Sequence, residues 1–136
     1  RRVEDVLAAT YPTPGLPARA RLEQFIEARS AAVGRQLGVL RLVQSEQFRL
    51  ALPKQGSERL ARCVTRTRDF VRQALLEGQA EGVFRRDLDV DGATLIIMGT
   101  VQALASSPRR GELAQATRAT LFALLSPVVP KARSAS

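Results

Sequence analysis

Apolar residues recur at intervals of three and four along nearly the whole chain, and the strict alternation that marks a half-buried strand does not occur. That periodicity commits the chain to helices, interrupted wherever proline and glycine cluster. Residues 2–10 read as the tail of a helix with Val3, Val6 and Leu7 on one side, broken by Tyr11-Pro12-Thr13-Pro14-Gly15. Pro17 suits the start of the next helix, where its missing N–H does no harm, and that helix is expected to reach about Gln36 with Leu22, Phe25, Ile26 and Val33 on one stripe. Gly34 and Gly38 loosen its end. A shorter helix over 39–52 carries Leu40, Val43 and Phe48, and Pro53-Lys54-Gln55-Gly56 ends it. Ser57 is then expected as the N-cap of a long helix to Glu81, whose Leu60, Val64, Thr67, Val71, Ala74, Leu75 and Gly78 fall in one apolar arc.

Gly82 stands where a glycine C-cap belongs, and Val83-Phe84-Arg85-Arg86-Asp87-Leu88 reads as a connector with an aromatic anchor. Asp89 is the expected N-cap of a helix over 90–105, and Asp91 adds negative charge to its first turn, where the helix dipole favours it. This helix is apolar nearly all round. Leu95, Met98, Gly99 and Gln102 occupy one side, and Ala93, Ile97, Val101 and Leu104 the other. A last helix over 109–125 places Leu113, Thr117, Thr120, Leu121 and Leu124 on one side and Phe122 on the other, and Pro127 and Pro130 stop it. The fold class is therefore all-α, a bundle of about five to six helices.

In a chain of 136 residues each helix can shelter one stripe, yet the last two carry apolar residues on more than one face. A symmetric homodimer that pairs these helices with their copies would cover the excess, with Ile97, Val101, Leu104, Leu113, Thr117, Leu121, Phe122 and Leu124 as its expected contacts. The competing possibility is that the earlier helices cover them within one chain.

Composition narrows the chemistry. The chain has no histidine and a single cysteine, Cys63, so the common Cys/His zinc sites, a stapling disulfide and His-dependent acid–base catalysis are all closed to it. Asp87, Asp89 and Asp91 lack the glycine and distal glutamate of a calcium loop, and helix capping explains them better. No cofactor or metal is expected, and no enzymatic activity. The net charge of +8 is almost all arginine, dispersed among thirteen acids without a run of five or six like charges. A solvated arginine-rich surface accounts for it at least as well as a nucleic-acid footprint, although a stand-alone module binding nucleic acid through that surface is the alternative function. The longest uncharged apolar stretch, 92–105, falls short of the roughly 20 residues needed to cross a bilayer, so the expectation is a soluble, cytoplasmic protein with no membrane contact.

The stretch from Phe70 to Asp89, in which Gly78-Gln79-Ala80-Glu81-Gly82 is followed by Phe84, the pair Arg85-Arg86 and Asp87-Leu88-Asp89, resembles the C-terminal regulatory domain of TetR family bacterial transcriptional repressors. Arg21-Leu22 and Phe25-Ile26 are similar to the start of that domain's first helix. The resemblance implies a dimeric all-helical domain that holds a small-molecule effector in each subunit. Operator DNA would be engaged only through an N-terminal helix-turn-helix head absent from this sequence, which opens on Arg1 rather than Met. Residues 1–10 would then be the stub of the linking helix, 11–130 the effector-binding and dimerising domain, and 131–136 a frayed tail.

Two helix faces carry polar interruptions that a ligand's polar end would satisfy: Arg29 and Gln36 on the stripe of Phe25, and Gln102 beside Met98. Phe25, Phe48, Phe70 and Met98 would wall an apolar cavity around a largely apolar effector, with Cys63 and Arg66 completing the candidate set. The alternatives are a carboxylate partner for Arg29, such as Glu46, an ordinary buried role for Cys63, and a backbone or cross-dimer bond for Gln102.

Overall fold

A computed structural model of the chain describes residues 3–35, 54–107 and 110–128. The expected helix over 39–52, with Phe48, together with Gln36, Glu46 and the tail over 131–136, lies outside the described residues. Among the described residues the elements are all helical: α1 (Val3–Ala8), α2 (Ala18–Arg35), α3 (Lys54–Glu81), α4 (Val90–Ser106) and α5 (Arg110–Leu125).

Helix α2 is the centre of the bundle, packing most extensively on α4 and α3 while touching α1 and α5 at its margins. Its Leu22, Phe25 and Ile26 are fully buried against Val71, Ala74 and Leu75 of α3 and against Ala93, Ile97, Val101 and Leu104 of α4. Phe122 and Leu125 of α5 close the core together with Phe84 from the α3–α4 connector. Each such side chain contributes about 1.5–3 kcal/mol by leaving water, so this apolar surface supplies the main drive to fold.

The punctuation of the chain operates largely as its residue types require. The Pro17 carbonyl accepts the first bond of α2, from the Arg21 amide at 2.9 Å. Asp89 caps α4, with extended backbone (φ −73°, ψ 118°) and its Oδ1 accepting the Gly92 amide at 2.8 Å. Gly82 adopts φ +81°, the left-handed conformation that ends α3 at little cost only for glycine. The start of α3 differs from expectation. The helix already includes Lys54, so Gly56 and Ser57 lie within its first turn rather than before it. First-turn amides have no intrahelical acceptor in any case, and a local glycine penalty of about 1 kcal/mol is small against a helix of 28 residues. Val64, expected in the apolar arc, is exposed.

A larger correction concerns the last two helices. Ile97, Val101, Leu104 and Phe122, expected at a subunit interface, are buried in the core of the single chain. The reason is that α2 takes that face of α4, and a helix apolar all round leaves its opposite face outward. Leu95 and Ile96 occupy that outer face, 73% and 62% exposed, and on α5 Leu124 is 64% exposed. Leu113 and Thr117 are half-buried, and Leu121 is buried.

Candidate functional site

Where α1 ends, the chain turns through Thr10 and Tyr11 onto the flank of α2 and α3. Among the described residues Arg29 is the only charged side chain that is buried, at 6% exposed, and it lies in this corner. Its Nε donates to the Thr10 hydroxyl at 2.7 Å, Nη1 to the Thr67 hydroxyl at 3.0 Å, and Nη2 to the Leu7 carbonyl at 3.2 Å. One guanidinium thereby ties the end of α1 to α2 and α3. Its acceptors are fully engaged. Thr10 Oγ1 itself donates to the Leu7 carbonyl at 2.6 Å, and Thr67 Oγ1 donates to the Cys63 carbonyl at 3.0 Å. With the Thr67 proton committed there, the Tyr11 hydroxyl, 3.1 Å away, is the donor of their pair.

Three rings enclose this network. Tyr11, Phe25 and Phe70 contact one another pairwise with centroids 4.9–5.7 Å apart. The Arg29 guanidinium lies over Phe25 at 4.8 Å and over Tyr11 at 5.2 Å, where the ring faces partly replace lost hydration. Arg66, exposed on α3, places its guanidinium over the same Tyr11 ring at 4.5 Å. Burial pulls the Arg29 pKa below the ordinary arginine value, Tyr11 and Cys63 oppose that shift, and Arg66 adds to it. Burial of this cation is thus offset by neutral dipoles and π faces.

A second feature lies on the outer side of α4 and α5. An open groove of about 350 Å³ runs between them, lined by Ile96, Thr100, Ala116, Thr117, Thr120, Leu121 and Leu124. Its walls are aliphatic or hydroxyl-bearing, and none of the lining residues is charged.

The segment 78–89 fixes the angle between these parts. The Gly78 carbonyl accepts the amides of Val83 and Phe84 at 2.9 and 3.1 Å. Gly78 is required here, because a Cβ built on it would overlap the Phe84 ring. Gln79 Nε2 reaches the carbonyls of Arg85 and Leu88 at 3.0 and 3.2 Å, and the Arg85 amide donates to the Leu125 carbonyl at 2.7 Å. The connector is thereby riveted to the end of α5. This signature is a packing device, and its residues are spent on joining α3, α4 and α5.

Residues 15–106 match the tetracyclin repressor-like C-terminal domain, well over half of the chain. The chain belongs to this family. Among solved structures, the TetR-like chain is similar to the ketosteroid transcriptional regulator KstR2 of Mycobacterium tuberculosis, with a TM-score of 0.77 and 23% identity. The likeness covers 90% of this chain and 67% of that one, and it establishes the shared helical fold. A comparison with curated proteins yields no match. Among the described residues of this TetR-like domain, no helix is long and apolar enough to cross a membrane.

Of the side chains that sequence alone nominates for a ligand, the structure brings Phe25, Arg29, Cys63, Arg66 and Phe70 into the corner beside Tyr11. Gln102 is exposed on α4, and Met98 is half-buried on the same helix. Sequence reasoning missed Thr10, Tyr11 and Thr67 as members of the cluster. Thr67 carried a legible signal, since a hydroxyl inside an apolar arc requires a partner. Tyr11 had only its position in a proline-rich break.

Proposed function

We propose that this domain is the effector-sensing and dimerising part of a TetR-like transcriptional repressor in the bacterial cytoplasm. The observation that carries the reading is the unpartnered apolar face of α4 and α5, where Leu95, Ile96 and Leu124 stand exposed around an uncharged groove. Clustered exposed apolar surface of this kind marks an interface, and a two-fold axis along the groove would pack these helices on their copies as a four-helix contact. The interface residues of this reading are Leu95, Ile96, Thr100, Thr117 and Leu124. A small effector occupies each subunit near the aromatic corner of Tyr11, Phe25 and Phe70, and the likeness to a ketosteroid regulator supports a largely apolar molecule.

In this reading a DNA-binding head beyond these residues reads the operator. Two recognition helices must sit about 34–36 Å apart to span one turn of a palindrome. A ligand that binds better to a different head spacing weakens operator affinity by no more than its preference between the two states. Sedimentation equilibrium tests the dimer. Ile96→Asp places a charge at an exposed position where the single chain tolerates it, so the variant is expected to run as a folded monomer beside a dimeric parent. A parent that is monomeric at all concentrations, or a variant that stays dimeric, would refute this assembly.

A further inference from the structure

Of α1, Val6 and Leu7 are half-buried and Asp5 and Ala8 are exposed, whereas among the described residues the buried apolar cluster begins at Ala18. The fastening of α1 is polar instead. Every nitrogen of the Arg29 guanidinium donates a bond, and the three acceptors belong to three parts of the chain: the Leu7 carbonyl of α1, the Thr10 hydroxyl of the turn and the Thr67 hydroxyl of α3. On the body side Thr67 aims the fork; on the other side Leu7 and Thr10 receive it. These last two are also bonded to each other. The Leu7 carbonyl accepts the Thr10 amide at 3.1 Å and the Thr10 hydroxyl at 2.6 Å, so Arg29, Thr10 and Leu7 close a ring of mutual bonds. Tyr11 ties the same turn to α3 a second time, through its hydroxyl on Thr67.

A guanidinium is a rigid planar fork, so moving one acceptor disturbs its bonds to the others. A donor left bare at a site only 6% exposed carries the desolvation cost of a charged group. Half-open arrangements are therefore disfavoured against the closed one, and also against an open one in which water reaches Arg29 and Thr10 together. Leu22 and Ile26 take no part in this exchange, because they are buried on the side of α2 that faces the core. We infer that Arg29 is the bolt of a latch: α1 and the turn through Tyr11 dock and release as one unit while the rest of the bundle stays folded. The latch is a property of the chain itself and needs neither effector nor partner. Where a head lies ahead of α1, the closed latch fixes the direction in which α1 leaves the body, and that consequence alone rests on the regulator reading above.

Native-state hydrogen exchange of the whole chain in rising urea tests it. The Ala9, Thr10 and Tyr11 amides, bonded to the carbonyls of Asp5, Leu7 and Ala8, report on the latch, and the Leu75 and Ile97 amides report on the core. In the parent the first three are expected to share one opening equilibrium with a shallow urea dependence, because little surface is exposed, and the core amides to show a steep one. Arg29→Lys keeps the charge but loses the fork, and is expected to speed all three latch amides alike by about tenfold or more, the size of one bond to a charged group. Thr10→Val, which removes the Nε acceptor and leaves Arg29 in place, serves where the lysine variant does not fold and is expected to act in the same sense. Combined with Arg29→Lys it should add less than it does alone, since both break the same ring. Latch amides that open only with the steep urea dependence of the core would overturn the inference. Three unrelated rates, indifferent to Arg29→Lys, would overturn it too, and either failure leaves the regulator reading standing.

Discussion

Replacing Gly78 with alanine isolates the most demanding contact in the fold. In an unconstrained helix the substitution is favourable by up to about 1 kcal/mol, because alanine loses less backbone entropy. At Gly78 the added methyl would overlap two atoms of the Phe84 ring and press on a third. That ring cannot swing aside freely: Phe84 is fully buried, packs 6.3 Å from the Phe122 ring, and has both flanking amides bonded, Val83 to Gly78 and Arg85 to Leu125. Overpacking a site held this tightly costs about 1–3 kcal/mol, with expulsion of the ring, about 3–5 kcal/mol, as the ceiling. The net expectation is a loss of about 2 kcal/mol. The internal control is Gly111→Ala on α5, where a methyl meets nothing within 4 Å and a small gain is expected. Urea denaturation followed by helical circular dichroism, at one fixed protomer concentration, measures both. Gly78→Ala with trimmed Phe84→Leu should recover part of the loss through pairwise coupling. A Gly78→Ala variant as stable as its parent would refute the claim that this glycine exists to admit Phe84.

Asp89→Ala removes the carboxylate that accepts the Gly92 amide and should cost about 1 kcal/mol, read from the same denaturation curves. Arg21, then Gln73, holds the Glu77 carboxyl below its ordinary value of 4.5. Its contribution is therefore present above that value and is lost as pH falls through the lower folded pKa; Glu77→Gln should flatten this part of an acid titration by less than about 1 kcal/mol, since the pair is partly solvated. The domain alone should show negligible sequence-specific binding to DNA in a fluorescence anisotropy titration. Tight binding with a steep salt dependence would favour the arginine-rich nucleic-acid module instead.

Helix positions were legible where a stop or start signal carried its own mechanism, as with the aspartate before α4 and the glycine after α3. The start of α3 was not, because Gly56 and Ser57 look like a break although a long helix absorbs both. Facing was hardest on α4. Ile96 and Ile97 are neighbours of identical chemistry, one outward and one in the core, and only the docking of α2 separates them. The same limit applies to Arg29. Its oddness on an apolar stripe was visible, but its acceptors lie 19 to 38 residues away along the chain, and nothing local in the sequence pairs them.

Tyr11 has one more consequence. It is the sole tyrosine of a chain without tryptophan, so nearly all the intrinsic near-ultraviolet emission of this protein arises from a ring lying under two guanidinium groups. Nature has placed a dye at the junction of α1, α2 and α3. Any event that moves Arg29 or Arg66 changes the field across that ring and the proton it donates to Thr67, and is readable in unlabelled protein as a change in brightness.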